Sequence, residues 1–157
     1  MIKNLFAVGA FLSSLLGLKV GHISIQEVGT TNLSKYINAE KIQKVSGIQK
    51  NQDLFSLKLD ELERKILGDM PWIESVQIQR QLPDSLDIRY TARTARVLGI
   101  REKDFWLMDA SGKWISPVSL SNAPDLPVLN MNVTPDSVVD LLAWLDELEM
   151  NLNLYLP

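Results

Sequence analysis

The chain has 157 residues, 46% hydrophobic and 22% charged, with a formal net charge of −3 and no cysteine. That length and apolar content can bury one or two small cores, and the interleaving of acids with bases argues against a nucleic-acid partner, whose binding needs a continuous cationic face. Without cysteine there is no disulfide, no thiolate zinc site and no lipoprotein acylation site, which leaves the redox compartment open.

From Asn4 to Leu18 the sequence is uncharged and largely apolar, flanked by Lys3 and Lys19. About fifteen helical residues at ~1.5 Å rise reach only ~22 Å, but with both lysines snorkelling the segment Ile2 to Val20 approaches the ~30 Å hydrocarbon core of a bilayer. A cleaved signal peptide has a similar apolar length. No A-x-A site with turn residues follows the run, so the reading is an uncleaved anchor over residues 1–22. Lys19 offsets Lys3, so charge alone orients it poorly. Gly9, Ser13, Gly17 and Gly21 recur every fourth residue, a small-residue stripe that would let a second helix approach closely in lipid, although such residues are also common in membrane helices generally.

Ile23 and Ile25, separated by Ser24 and followed by Gln26, read as a first strand ending near Val28-Gly29. A helix follows, with Asn38 as N-cap, Ile42 and Val45 on its buried side, and Gly47 at the left-handed position after its end. Asp60 and Glu63 have the spacing of a capping box, opening a second helix whose apolar face is Leu59, Leu62, Ile66 and Leu67 and which Gly68 closes. After Pro71 the period falls to two. Val76 and Ile78 alternate with Gln77 and Gln79, then Leu86, Ile88 and Tyr90 with Asp87 and Arg89, giving a hairpin whose turn runs from Gln81 to Ser85 around Pro83 and Asp84. The order is strand, helix, helix, strand, strand, and the expected core is Ile42, Val45, Ile48, Leu62, Ile66, Val76, Ile78, Leu86 and Ile88.

This unit resembles the POTRA domain of the FtsQ/DivIB family of bacterial cell-division proteins. The markers are Ser46-Gly47-Ile48, Leu54-Phe55 with Leu57 and Leu59, Pro71-Trp72-Ile73, Arg80, Leu82-Pro83 and Leu86-Asp87-Ile88-Arg89. The resemblance implies a βααββ POTRA domain over 23–91 and a single-pass protein of the cytoplasmic (inner) membrane, N-terminus inside and bulk outside. Where the family has a glutamate and a proline after the last POTRA strand, this chain has Ala92 and Ala95 around Arg93. The family also has a longer cytoplasmic tail than the three residues before Asn4.

Beyond Tyr90, Arg96 to Ile100 and Phe105 to Asp109 read as short strands, with a turn at Asp109-Ala110-Ser111-Gly112 leading into Lys113 to Ser116. FWLMDASGKWI and PDLPVL resemble the opening of the family's second, β domain, which would occupy 92–157. Thr134-Pro135 starts a last helix with a stripe of Val138, Leu141, Leu142, Leu145, Leu148 and Leu152, beside Trp144. A membrane-surface role fits it poorly, because its polar face is acidic. The resemblance implies further strands after this helix, so the β domain is expected to be incomplete. The fold class is therefore α+β: a transmembrane helix, a POTRA domain, and a partial β-rich domain with a C-terminal helix.

Catalytic, cofactor-binding and metal-binding residues are expected to be absent. His22 is the only histidine and has no partner in the sequence pattern; Asp84, Asp87, Asp104 and Asp109 each read as lying in or beside a turn, where aspartate is common. No phosphate loop, dinucleotide fingerprint or EF-hand pattern occurs, so neither a cofactor nor a small-molecule substrate is expected. The resemblance implies a non-enzymatic scaffold of the division machinery whose partners are other cell-division membrane proteins. A POTRA module of an outer-membrane assembly or secretion protein and a small secreted enzyme are the alternatives. The strand after Pro71 is expected at a sheet edge that a partner's extended segment could join. Gln77 and Gln79 would select that partner, Glu74 and Arg89 would form a charged rim, and Ser75 or Gln77 would offer a backbone donor if its N–H points outward.

Overall fold

The computed structural model describes residues 17–29, 37–129 and 135–153, with side chains through 148 apart from that of Leu120. The chain divides after Ala92 into two compact units. The apolar run as far as residue 16, including Gly9 and Ser13, lies outside the described residues, as does the expected cap Thr134.

The first unit contains β1 (His22–Glu27), α1 (Ala39–Ser46), α2 (Leu59–Asp69), β2 (Ile73–Gln81) and β3 (Ser85–Ala92). Its sheet has the order β1-β3-β2, with β1 parallel and β2 antiparallel to the central β3. A parallel β1–β3 pair requires a crossover, and the two helices supply it. Asn38 caps α1 as expected, its Oδ1 accepting from Lys41 N at 2.8 Å, and Gly47 ends it at φ +72°. Ile42, Ile48, Ile66, Val76, Ile78, Leu86 and Ile88 are buried, with Val45 and Leu62 packed partly buried against them. Tyr90, which alternation put on the face of Leu86 and Ile88, is buried with them, and periodicity did not reveal the rest of this core: Val20, Ile37, Leu54, Met70, Ile73 and Ala92.

Three local expectations are corrected. Helix α2 begins at Leu59 after Lys58, with no side-chain cap, so Asp60 lies in its first turn and Glu63 is not half of a capping box. Gly68 lies inside α2, which ends at Asp69. The expected helical stripe does not extend through Gly17 and Gly21: Gly17 is a turn residue at φ +61°, the Lys19 backbone forms an isolated antiparallel β-bridge with that of Asp53, and Gly21 donates its N–H to the Asp84 carbonyl at 2.8 Å. Val20, fully buried, exchanges backbone hydrogen bonds with Asn51 and Gln52. Residues 18–21 are therefore part of the folded first unit. No helix among the described residues is long and apolar enough to cross a membrane.

The second unit contains β4 (Val97–Arg101), β5 (Asp104–Met108), β6 (Trp114–Val118), β7 (Val128–Leu129) and α3 (Pro135–Asn153). The sheet order is β6-β5-β4-β7, antiparallel except for the short parallel β4–β7 pair. Val138 and Leu142 of α3 pack with Val97 and Met108, and Trp114, Leu129 and Leu145 lie at the margin of this core. Trp144 is 56% exposed. At Gly112 (φ +77°) a Cβ would come within 2.4 Å of Pro135 Cα, so the turn after β5 passes close to the start of α3.

Candidate functional site

Strand β2 pairs with β3 on one side and meets no second strand on the other among the described residues. Which backbone groups face outward follows from the antiparallel ladder, in which successive residues point alternately toward and away from the partner. Ile78 N–H donates to Glu63 Oε1 of α2 at 2.7 Å, so it points away from β3. On β3 the Tyr90 carbonyl accepts from Val28 N beyond β1, in keeping with even-numbered β3 residues facing β1 and odd-numbered ones facing β2. The outward positions of β2 are therefore Val76, Ile78 and Arg80, while Gln77 and Gln79 bond into the ladder opposite Arg89 and Asp87. Gln77 is thus corrected as an outward backbone donor. Ser75 lies where the β2–β3 register shifts, between Ile73 and Ser75.

The side chains divide by the same alternation. Val76 and Ile78 are buried beneath the helices, whereas Gln77 and Gln79 are exposed on the opposite face. Register places Ser24, Asp87 and Gln79 in one row across that face and Gln26, Arg89 and Gln77 in the next. Glu74, Ser75 and Arg89 are exposed as well, so the five residues expected to meet a partner surround one edge and one polar face.

Asp87 is mid-strand, not in a turn, and is only 5% exposed; its Oδ2 accepts from Arg89 Nε at 2.9 Å. Sequence alternation marked it as polar but gave no sign of burial. Arg80 turns toward the helices: its Nε donates to the Leu54 carbonyl at 2.8 Å, its Nη2 to the Leu57 carbonyl, and its guanidinium lies 5.4 Å from the centre of the Phe55 ring. Burial lowers its pKa and the charge of Asp60 opposes that shift, and the guanidinium remains charged at neutral pH. Arg80 therefore ties the segment between α1 and α2 to β2. Glu63 was read as a cap; only the tertiary structure shows its carboxylate at the sheet edge.

In the second unit Arg93 and Asp109 form a buried ion pair, both residues no more than 6% exposed. The carboxylate also accepts from Ser111 N, Ser111 Oγ and Lys113 N. This explains Asp109 as a turn residue and adds an ion pair that spacing did not reveal. His22 is exposed at the start of β1. Among the described residues no group of three or more histidine and carboxylate side chains is placed to hold a metal ion. The site is an edge and a polar face suited to backbone pairing.

Residues 23–91 match the model of the POTRA domain, FtsQ-type. Similar proteins include cell division protein FtsQ of Novosphingobium aromaticivorans, 28% identical over 137 residues, covering 87% of this chain and 41% of that protein. Cell division protein FtsQ of Corynebacterium glutamicum is 26% identical over 117 residues, 73% of this chain and 52% of that one. Cell division protein DivIB of Clostridium botulinum is 30% identical over 118 residues, 71% of this chain and 44% of that one. The chain spans about two fifths to half of the length of these relatives.

Proposed function

Because the chain belongs to the FtsQ/DivIB family of bacterial cell-division proteins, we propose that it is a non-enzymatic, membrane-anchored scaffold of the septum-forming machinery. It is held in the cytoplasmic membrane by its N-terminal apolar segment, N-terminus inside, and binds other division proteins with the units that follow. The observation that carries the binding reading is the single-sided pairing of β2, which leaves the backbone groups of Val76, Ile78 and Arg80 facing outward beside the polar row of Gln77 and Gln79. An outward edge of this kind accepts an extended segment by main-chain hydrogen bonding, while neighbouring side chains select its sequence. Gln77 and Gln79 are assigned that selecting role, with Glu74 and Arg89 as a charged rim and Ser75 at the start of the paired edge.

Photo-crosslinking residues placed singly at Gln77 and Gln79 in dividing cells test the reading. Adducts with division proteins of the cytoplasmic membrane are expected. Adducts obtained only from probes on the second unit would move the interface there. Depletion is expected to give filaments without septa, and normal division would overturn the scaffold role. Recovery of a tagged chain in the outer membrane would favour the assembly-module reading instead.

A further inference from the structure

The middle of the three outward positions on β2 is already occupied by the chain itself. Glu63 reaches from α2 to accept the Ile78 N–H at 2.7 Å, a charge-assisted bond of the stronger kind. A strand added to β2 would have to place a carbonyl oxygen where Glu63 Oε1 lies, because one amide hydrogen cannot serve both at full strength. Among the described residues, no helix-borne side chain is recorded accepting from the Val76 or Arg80 N–H on either side. Exposed edges are commonly blunted by a lysine or a proline on the strand itself. From Ile73 to Gln81 this strand has neither.

Resting on the reading of β2 as a pairing edge, we infer that Glu63 is a removable guard of that edge: strand addition requires its carboxylate to leave Ile78. A change of side-chain rotamer is enough to remove it, since Glu63 is only half-buried on α2 and no backbone need move. The guard differs from a proline in being reversible. It admits an extended segment that brings a full row of backbone acceptors and holds off single, poorly registered encounters. One occupant it restrains is β2 of a second copy, which can lie antiparallel with Ile78 opposite Ile78 and Val76 opposite Arg80, setting no like charges against each other at those positions.

The test compares the full chain with its Glu63→Ala and Glu63→Gln variants, using as probe a synthetic peptide of the sequence Ile73 to Gln81. In Glu63→Ala the Ile78 amide is expected to exchange hydrogen about tenfold faster, with the ladder amides of Gln77 and Gln79 unchanged, and the peptide to bind about tenfold more tightly. Glu63→Gln, which keeps an uncharged acceptor, falls between; should the alanine variant fail to fold, the glutamine variant provides the same two comparisons. Unchanged exchange at Ile78 would overturn the guard, and so would faster exchange with unchanged peptide affinity. Faster exchange at Ile78 with no peptide binding to any of the three proteins would instead overturn the pairing edge on which the guard rests.

Discussion

At the Arg93–Asp109 pair, burial by itself pushes the Asp109 carboxyl up. Hydrogen bonds from Ser111, from the Lys113 N–H and from the Arg93 guanidinium, together with its charge, outweigh that and hold the group below the ordinary carboxylate range. A carboxyl whose folded pKa is depressed adds stability that is fully present above its unfolded pKa of roughly 3.9 and is lost as pH falls through the folded value. Acid titration of unfolding should therefore show a loss of second-unit stability below about pH 4, and Asp109→Asn should flatten that slope. Asp109→Ala leaves the Arg93 charge buried without its carboxylate and is expected to cost about 3–5 kcal/mol near neutral pH by denaturant unfolding. The double change Arg93→Met with Asp109→Leu should recover much of that loss, since apolar pairs of similar volume often replace buried ion pairs without penalty.

Elements in both units are tied together by groups outside their own hydrogen-bond ladders. Arg80 links β2 to the segment between α1 and α2 through two carbonyls and the Phe55 ring. Arg80→Ala should cost about 2–3 kcal/mol, the scale of charged hydrogen bonds lost with their desolvated acceptors. Hydrogen exchange should show the loosening around Leu54 to Leu57 with the β2–β3 ladder still protected, whereas equal loosening of the ladder would mean Arg80 supports the whole sheet. In the second unit, Gly112→Ala combines a φ of +77° with a Cβ 2.4 Å from the Pro135 backbone. Both penalties act at one position, so a loss of more than about 1 kcal/mol is expected, with α3 amides near residue 138 exchanging faster. If α3 protection is unchanged, the turn relaxes without moving the helix.

For the whole molecule, Val20 ties the residues before β1 into the folded first unit. Its side chain is fully buried, and its backbone bonds to Asn51 and Gln52 close the segment between α1 and α2. A chain starting at His22 loses these contacts and should be less stable by roughly 1.5–3 kcal/mol, the scale of one buried valine, as read from the first transition in urea. Cleavage after about residue 20 would thus cut into the folded unit. N-terminal sequencing of the membrane-fraction protein should find residues 1–20 retained, and a mature chain beginning near residue 21 would refute the uncleaved anchor.

Local chemistry was enough for the helix and strand order of the first unit. Asn38 and Gly47 punctuate α1, and the switch from a helical period to alternation at Pro71 marks the hairpin, because each depends on residues within a few positions of one another. The same locality made Val138 and Leu142 readable as the buried side of α3, and the family markers readable in order. Contacts between distant segments were not legible. Val20 was grouped with the apolar run because its partners lie some thirty residues on, and Asp109 was read as a turn residue although Arg93 lies sixteen residues before it. Glu63 looked like half of a capping box because aspartate and glutamate three apart fit that pattern, yet its carboxylate bonds Ile78, fifteen residues away. Propensity and period describe what a segment prefers by itself. Which carboxylate meets which amide is decided when the helices settle on the sheet, and here that packing determined both the buried charges and the outward-facing groups on β2.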